Sequence, residues 1–146
     1  VAERARTHLL IAGEAAARPA GLVAGLERAG LWVDEVPPGA DLQAEAEKRT
    51  PDAVLLCTAG AGEADLAQVK HLRDAVQQWS ELPLLAVPAA GGDDAVAALL
   101  TGGADDAIAA PAHVAVLRSR LERLLSLREE RRELRATLRA RELLFD

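Results

Sequence analysis

Cys57 follows the apolar run Pro51-Asp52-Ala53-Val54-Leu55-Leu56, which reads as a buried strand delivering its next residue to the mouth of a sheet. A thiol there could sense redox state if its pKa were low, because the thiolate is the reactive form. Along the sequence, the only Lys or Arg within ten positions are Lys48 and Arg49, both ahead of the strand. The other reading is a small apolar residue that fills space. Glu14 lies just past the run Leu9-Leu10-Ile11-Ala12, at a strand's C-terminal edge, as an ion ligand or a solvated rim charge. Gly60-Ala61-Gly62 mimics part of a phosphate loop, but it lacks the Lys-Ser/Thr of a Walker motif and follows the third strand, so it reads as a flexible loop. His8, His71 and His113 share no ligand spacing, and one cysteine excludes a disulfide or a multi-cysteine metal site. Ser80, Ser119 and Ser126 all fall in or beside helices, which rules out a Ser-His-Asp triad.

Five strand-like runs alternate with helical segments and position these residues. The expected strands are Leu9 to Ala12, Leu31 to Val36 at an edge, Asp52 to Cys57, Leu82 to Val87 and Asp106 to Ala109. Helices are expected over Pro19 to Ala29, Leu42 to Arg49, Asp65 to Trp79 and Asp93 to Leu100, with one long helix from Ala112 onward. Val76 and Trp79 belong to the apolar face of the third of these, and Pro37-Pro38-Gly39 closes the edge strand. Such alternation predicts an α/β fold: a parallel sheet with helices on both faces.

The segment Leu99-Leu100-Thr101-Gly102-Gly103-Ala104-Asp105-Asp106 resembles the "ALxAGADDY" signature of bacterial response-regulator receiver domains. Ala110-Pro111 falls where that family has "KP", Pro51 to Leu56 matches its "PDLVLLD" strand, and Leu82 to Val87 matches "IPVIxLT". The resemblance covers roughly residues 7–126 and implies a doubly wound five-stranded sheet in order 2-1-3-4-5. Carried over residue by residue, it implies that the phosphorylation pocket is vestigial. The acidic pair that binds Mg²⁺ is Gly13-Glu14 here, the phospho-acceptor Asp is Cys57, the hydroxyl residue ending the fourth strand is Pro88, the Lys is Ala110 and the aromatic switch is Ala107. One carboxylate beside a thiol is a poor magnesium site, and without metal or Lys nothing neutralises the charge of phosphoryl transfer. No metal, cofactor or enzymatic activity is therefore expected of this chain.

Composition and charge narrow the partners. Residues 1–117 carry 8 Lys/Arg against 17 Asp/Glu, whereas residues 118–142 carry 9 Arg against 5 Glu. An acidic globule speaks against nucleic acid, and interleaved Arg and Glu suit an ion-paired helix surface. No apolar stretch reaches the ~20 residues of a membrane span, and no signal peptide is visible, so the cytoplasm is the expected compartment. Leu117, Arg120, Leu124, Leu127, Arg131, Leu134, Leu138, Arg141 and Phe145 recur at spacings of three and four, a heptad seam that predicts parallel dimerisation. The competing reading is a single amphipathic helix that caps the domain. A boundary is expected near Leu125, dividing a receiver-like domain (1–126) from a helical linker (127–146) to an attached output domain. Arg141-Glu142-Leu143-Leu144-Phe145-Asp146 resembles the lead-in to GGDEF diguanylate cyclases, with histidine kinases and other coiled-coil-linked outputs left open. The expected function is a non-phosphorylatable regulatory and dimerisation module. The rival is a small-ligand or redox sensor using the pocket around Glu14 and Cys57.

Overall fold

The computed structural model describes residues 6–37, 39–75 and 81–145. Strands β1 (His8–Gly13), β2 (Trp32–Glu35), β3 (Ala53–Thr58), β4 (Leu84–Pro88) and β5 (Asp106–Ala107) form one sheet in order β2-β1-β3-β4-β5, and every pairing is parallel. Between them run helices α1 (Leu22–Arg28), α2 (Leu42–Arg49), α3 (Glu63–Ala75) and α4 (Gly92–Gly102), with α5 (Val114–Phe145) last. The expected α/β fold and strand order are therefore present.

The continuous apolar runs sit centrally because a parallel sheet needs apolar side chains on both faces. Leu10, Ala12, Val54, Leu56, Leu84 and Ala86 face Leu42 of α2, Val69 and Leu72 of α3, and Leu99 of α4. On the opposite face Leu9, Ile11, Leu55, Leu85 and Val87 pack against Leu22 and Leu26 of α1 and Leu117 and Leu121 of α5. Strand β2, none of whose four residues is fully buried, takes an edge, and Trp32 stacks its ring on the buried His8, 4.0 Å between centroids.

The Gly-Gly-Ala-Asp-Asp segment acts as a structural clamp. Asp105 accepts the Leu84 N–H at 2.7 Å and pairs with Arg73, whose guanidinium also donates to the carbonyls of Leu82 (2.7 Å) and Gly103 (2.8 Å). Helices α3 and α4 are thereby tied to the start of β4 and the turn into β5.

Several bounds differ from expectation. Helix α1 starts only at Leu22, because Pro19-Ala20-Gly21 forms a turn and Ala15–Ala17 take a 3-10 turn instead. Helix α3 begins two residues early, at Glu63, and Val76, Trp79 and Ser80 lie outside the described residues, as do Pro38 and Asp146. The fifth strand is two residues long, although Ile108 N–H to Ala86 O (3.0 Å) and Ala110 N–H to Pro88 O (2.9 Å) extend its ladder. Helix α5 passes the expected boundary at Ser126 unbroken, and Arg128 beyond it still donates to Asp52 O at 2.7 Å.

Candidate functional site

The sheet brings the sequence-predicted pocket residues to one edge. Gly13 and Cys57 are direct partners across β1 and β3, Pro88 pairs with Thr58 across β3 and β4, and Ala110 donates to Pro88 O. Glu14 follows Gly13 and projects into solvent as an exposed side chain.

What the edge presents is a closed backbone seam. Glu14 N–H donates to Cys57 O at 2.8 Å, Ala89 N–H to Thr58 O at 2.8 Å and Ala90 N–H to Ala59 O at 3.0 Å. Gly13 makes the first of these contacts possible. Its φ is +97°, and a Cβ on it would lie 1.8 Å from Cys57 O, so no side chain fits at this position. The loop Gly60-Ala61-Gly62 is likewise occupied: Asp65 accepts the N–H of Gly60 (3.2 Å) and Gly62 (3.3 Å), and Thr58 donates its hydroxyl to Gly60 O (2.6 Å). Those amides serve the loop itself rather than an incoming phosphate.

Cys57 is 2 % exposed and packs with Ile11, Ala17 and Val87 on the α1/α5 face. Sequence proximity alone had placed no cation beside it except Lys48 and Arg49. The structure brings Arg18, from the segment after β1, close enough to bias the thiol. Any residue following a strand's C-terminal end shares this edge, and that signal could have found Arg18. Burial nevertheless dominates, pushing the Cys57 thiol up to about 11 against the pull of Arg18.

A pH prediction follows from this shift. A thiol raised from its ordinary 9.0 to about 11 holds its proton in the folded chain after the unfolded chain has lost it. Its contribution is fully present below pH 9 and is lost as pH rises through 11, and it is on the order of 3 kcal/mol. At pH 8 alkylation of Cys57 should run roughly a hundredfold slower in the folded chain than in urea, with more slowing from burial. Equal rates would contradict the buried, protonated thiol.

Arg18 also donates to Glu35 Oε1 (2.7 Å) and Gly13 O (3.3 Å), bridging β2 and β1. At this edge opens a cleft of about 790 Å³, bordered by Gly13, Glu14, Arg18, Glu35, Cys57 and Thr58. It lies where the chain's winding reverses between β1 and β3, the usual ligand position in open α/β sheets.

The magnesium that receivers bind does not fit these residues. Gly13 has no room for a carboxylate, Cys57 offers a protonated thiol, Glu35 is held by Arg18, and Asp65 is held by its loop. Among the described residues, no three His, Cys, Asp or Glu side chains are grouped to hold a metal ion. No helix there is long and apolar enough to cross a membrane.

Sheet order and winding define a flavodoxin-like, doubly wound α/β protein. Within that class the chain has the receiver fold, and its structural neighbours are receiver domains. A protein from Chloroflexus aurantiacus described as a response regulator superposes with a TM-score of 0.71 at 26% identity, over 83% of this chain and 98% of its own. The signal receiver domain of a LuxO repressor protein from Vibrio parahaemolyticus gives 0.68 at 15% identity, over 88% of this chain and 97% of its own. NtrX from Brucella abortus gives 0.75 at 20% identity, over 90% of this chain but 29% of that longer one. No protein-family model and no curated protein sequence matches the chain.

Proposed function

We propose that this chain is a receiver-fold coupling module of two-component-type signalling that works without phosphoryl transfer. In this reading it pairs with a second copy through α5 and regulates an output domain attached after Asp146, a diguanylate cyclase. The observation that carries the reading is the backbone contact that leaves no room for a side chain at Gly13, on the β1/β3 edge of the cleft. Where a receiver needs a carboxylate, Gly13 lies against Cys57 O with no space for one, and the acceptor position holds a buried thiol. Support for the cyclase comes from Arg141 to Asp146, whose sequence resembles the lead-in to GGDEF domains.

Incubation with acetyl phosphate and Mg²⁺ should leave the intact mass unchanged. A stable adduct of one phosphoryl group would overturn the reading. Cys57→Asp alone should also stay unmodified, because Gly13 and Ala110 still withhold metal ligand and counter-charge.

The sensor reading divides in two. Its redox half loses support from the raised thiol pKa of Cys57. Its ligand half is favoured by the cleft beside Arg18 and Glu35.

A further inference from the structure

We infer that the exposed flank of α5 takes a second copy of this chain in parallel register, with Arg131 and Arg141 met by the partner's Glu130 and Glu142. The inference rests on the parallel dimerisation proposed above and adds where the seam begins and how its charges pair.

Helix α5 carries two distinct stripes. Leu117 and Leu121 are fully buried, Leu124 and Leu125 pack on the core beside them, and Arg128 reaches Asp52 O. Arg120, three residues past Leu117, is taken by Asp106 at 3.2 Å. The first three members of the expected seam are thus used inside the protomer, and the free seam begins at Leu127. At about 100° per residue, Leu127, Leu134 and Leu138 lie roughly a quarter turn from the globule-facing stripe. They are 39%, 61% and 49% exposed, so the globule does not cover them.

The charges on this flank need a partner from outside the helix. A surface Arg is ordinarily offset by an acid three or four residues away, as Arg118 is by Glu122 at 3.0 Å. Around Arg131 those positions hold Leu127, Arg128, Leu134 and Arg135; around Arg141 they hold Thr137, Leu138, Leu144 and Phe145. Neither has an acid within reach along the helix. Among the described residues, the ion pairs of α5 run through Arg118, Arg120, Arg128 and Arg135 instead.

A parallel two-stranded coil supplies the missing carboxylates. Arg131 shares its heptad position with Leu124 and Leu138, a position flanked by the partner residue one earlier in number, which is Glu130. Arg141 shares its position with Leu127 and Leu134, flanked by the partner residue one later, which is Glu142. The two-fold axis makes each contact twice. An antiparallel coil sets unlike numbers opposite one another and loses the correspondence. The seam arginines then specify direction and register, as isolated polar residues in a coiled-coil seam do.

Sedimentation equilibrium of the intact chain, Glu130→Arg, Arg131→Glu and the double swap tests this, with circular dichroism to show that each variant is folded. Each single reversal places like charges together and should weaken association by about tenfold, and the swap should return it to within about threefold of the original. A swap as weak as the singles, or singles without effect, would overturn the charge pairing while leaving dimerisation intact. A monomeric original chain at tens of micromolar would instead remove the dimerisation on which it rests. Direction has its own readout: Leu138→Cys should oxidise to a covalent dimer through equal positions, and failure to do so in a dimeric protein would overturn the parallel arrangement.

Discussion

Gly13→Asp should cost the chain at least about 3 kcal/mol, rather than restore a metal site. The new Cβ would meet Cys57 O at 1.8 Å and Cys57 C at 2.9 Å, both backbone atoms that cannot turn aside. A φ of +97° adds strain for any L side chain, and relieving it breaks the Glu14 N–H to Cys57 O bond between the two central strands. In a domain whose whole stability is about 5–15 kcal/mol, such a loss lowers the midpoint of thermal unfolding by roughly 10 °C. Urea and thermal unfolding measure it. Glu14→Gln is the control: an exposed side chain, expected to stay within about 0.5 kcal/mol of the original. A Gly13→Asp variant of undiminished stability would show that a carboxylate can be accommodated here, and the argument for a lost metal-ligand position would fall with it.

Replacing Leu134 and Leu138 together by Asp should shift the proposed dimer to monomer, weakening association by at least about a hundredfold. Both leucines are exposed in the protomer, so the globule loses no core contact, whereas a seam would lose four leucines and gain four charges across its two helices. The unfolding transition of the globule should therefore remain where it was. Truncation makes a cleaner control after Glu133 than after Ser126, because Arg128 is bonded to Asp52 O and belongs to the globule. Loss of this residue would also remove its hydrogen bond and ion pair at Asp52, just before β3. Sedimentation velocity reads the result. Dimers that persist in both variants would move the interface onto the globule.

The central strands were legible because burial on both faces leaves nothing but apolar residues, and α2 kept its expected bounds from its Asp41 cap to Arg49. Helix α1 was harder. Its apolar spacing continues into Pro19 to Gly21, where Gly21 at φ +74° starts the helix late. Among pocket residues, type and order placed Gly13, Cys57, Pro88 and Ala110 at one edge, but not the conformation that closes it. That depends on a positive φ and on a hydrogen bond from Glu14 to Cys57, far apart in sequence, which no local pattern encodes. Arg18 and Glu35 were missed for the same reason: their ion pair joins the segment after β1 to the end of β2. Along α5 the spacing of leucines is the same whether they face the globule or a partner. The sequence therefore merged Leu117 and Leu124, spent inside, with Leu127 and Leu134, left outside.

From Val114 to Phe145 helix α5 contains neither Gly nor Pro, and it is unbroken over 32 residues, roughly 48 Å of rise. It has no built-in hinge, so it behaves as a shaft keyed to the globule at Arg128. The azimuth at which it presents any residue is then set by counting, about 100° for each position. An output domain attached as proposed would be held at a defined phase, and would feel a change at the globule as rotation or displacement of the whole shaft.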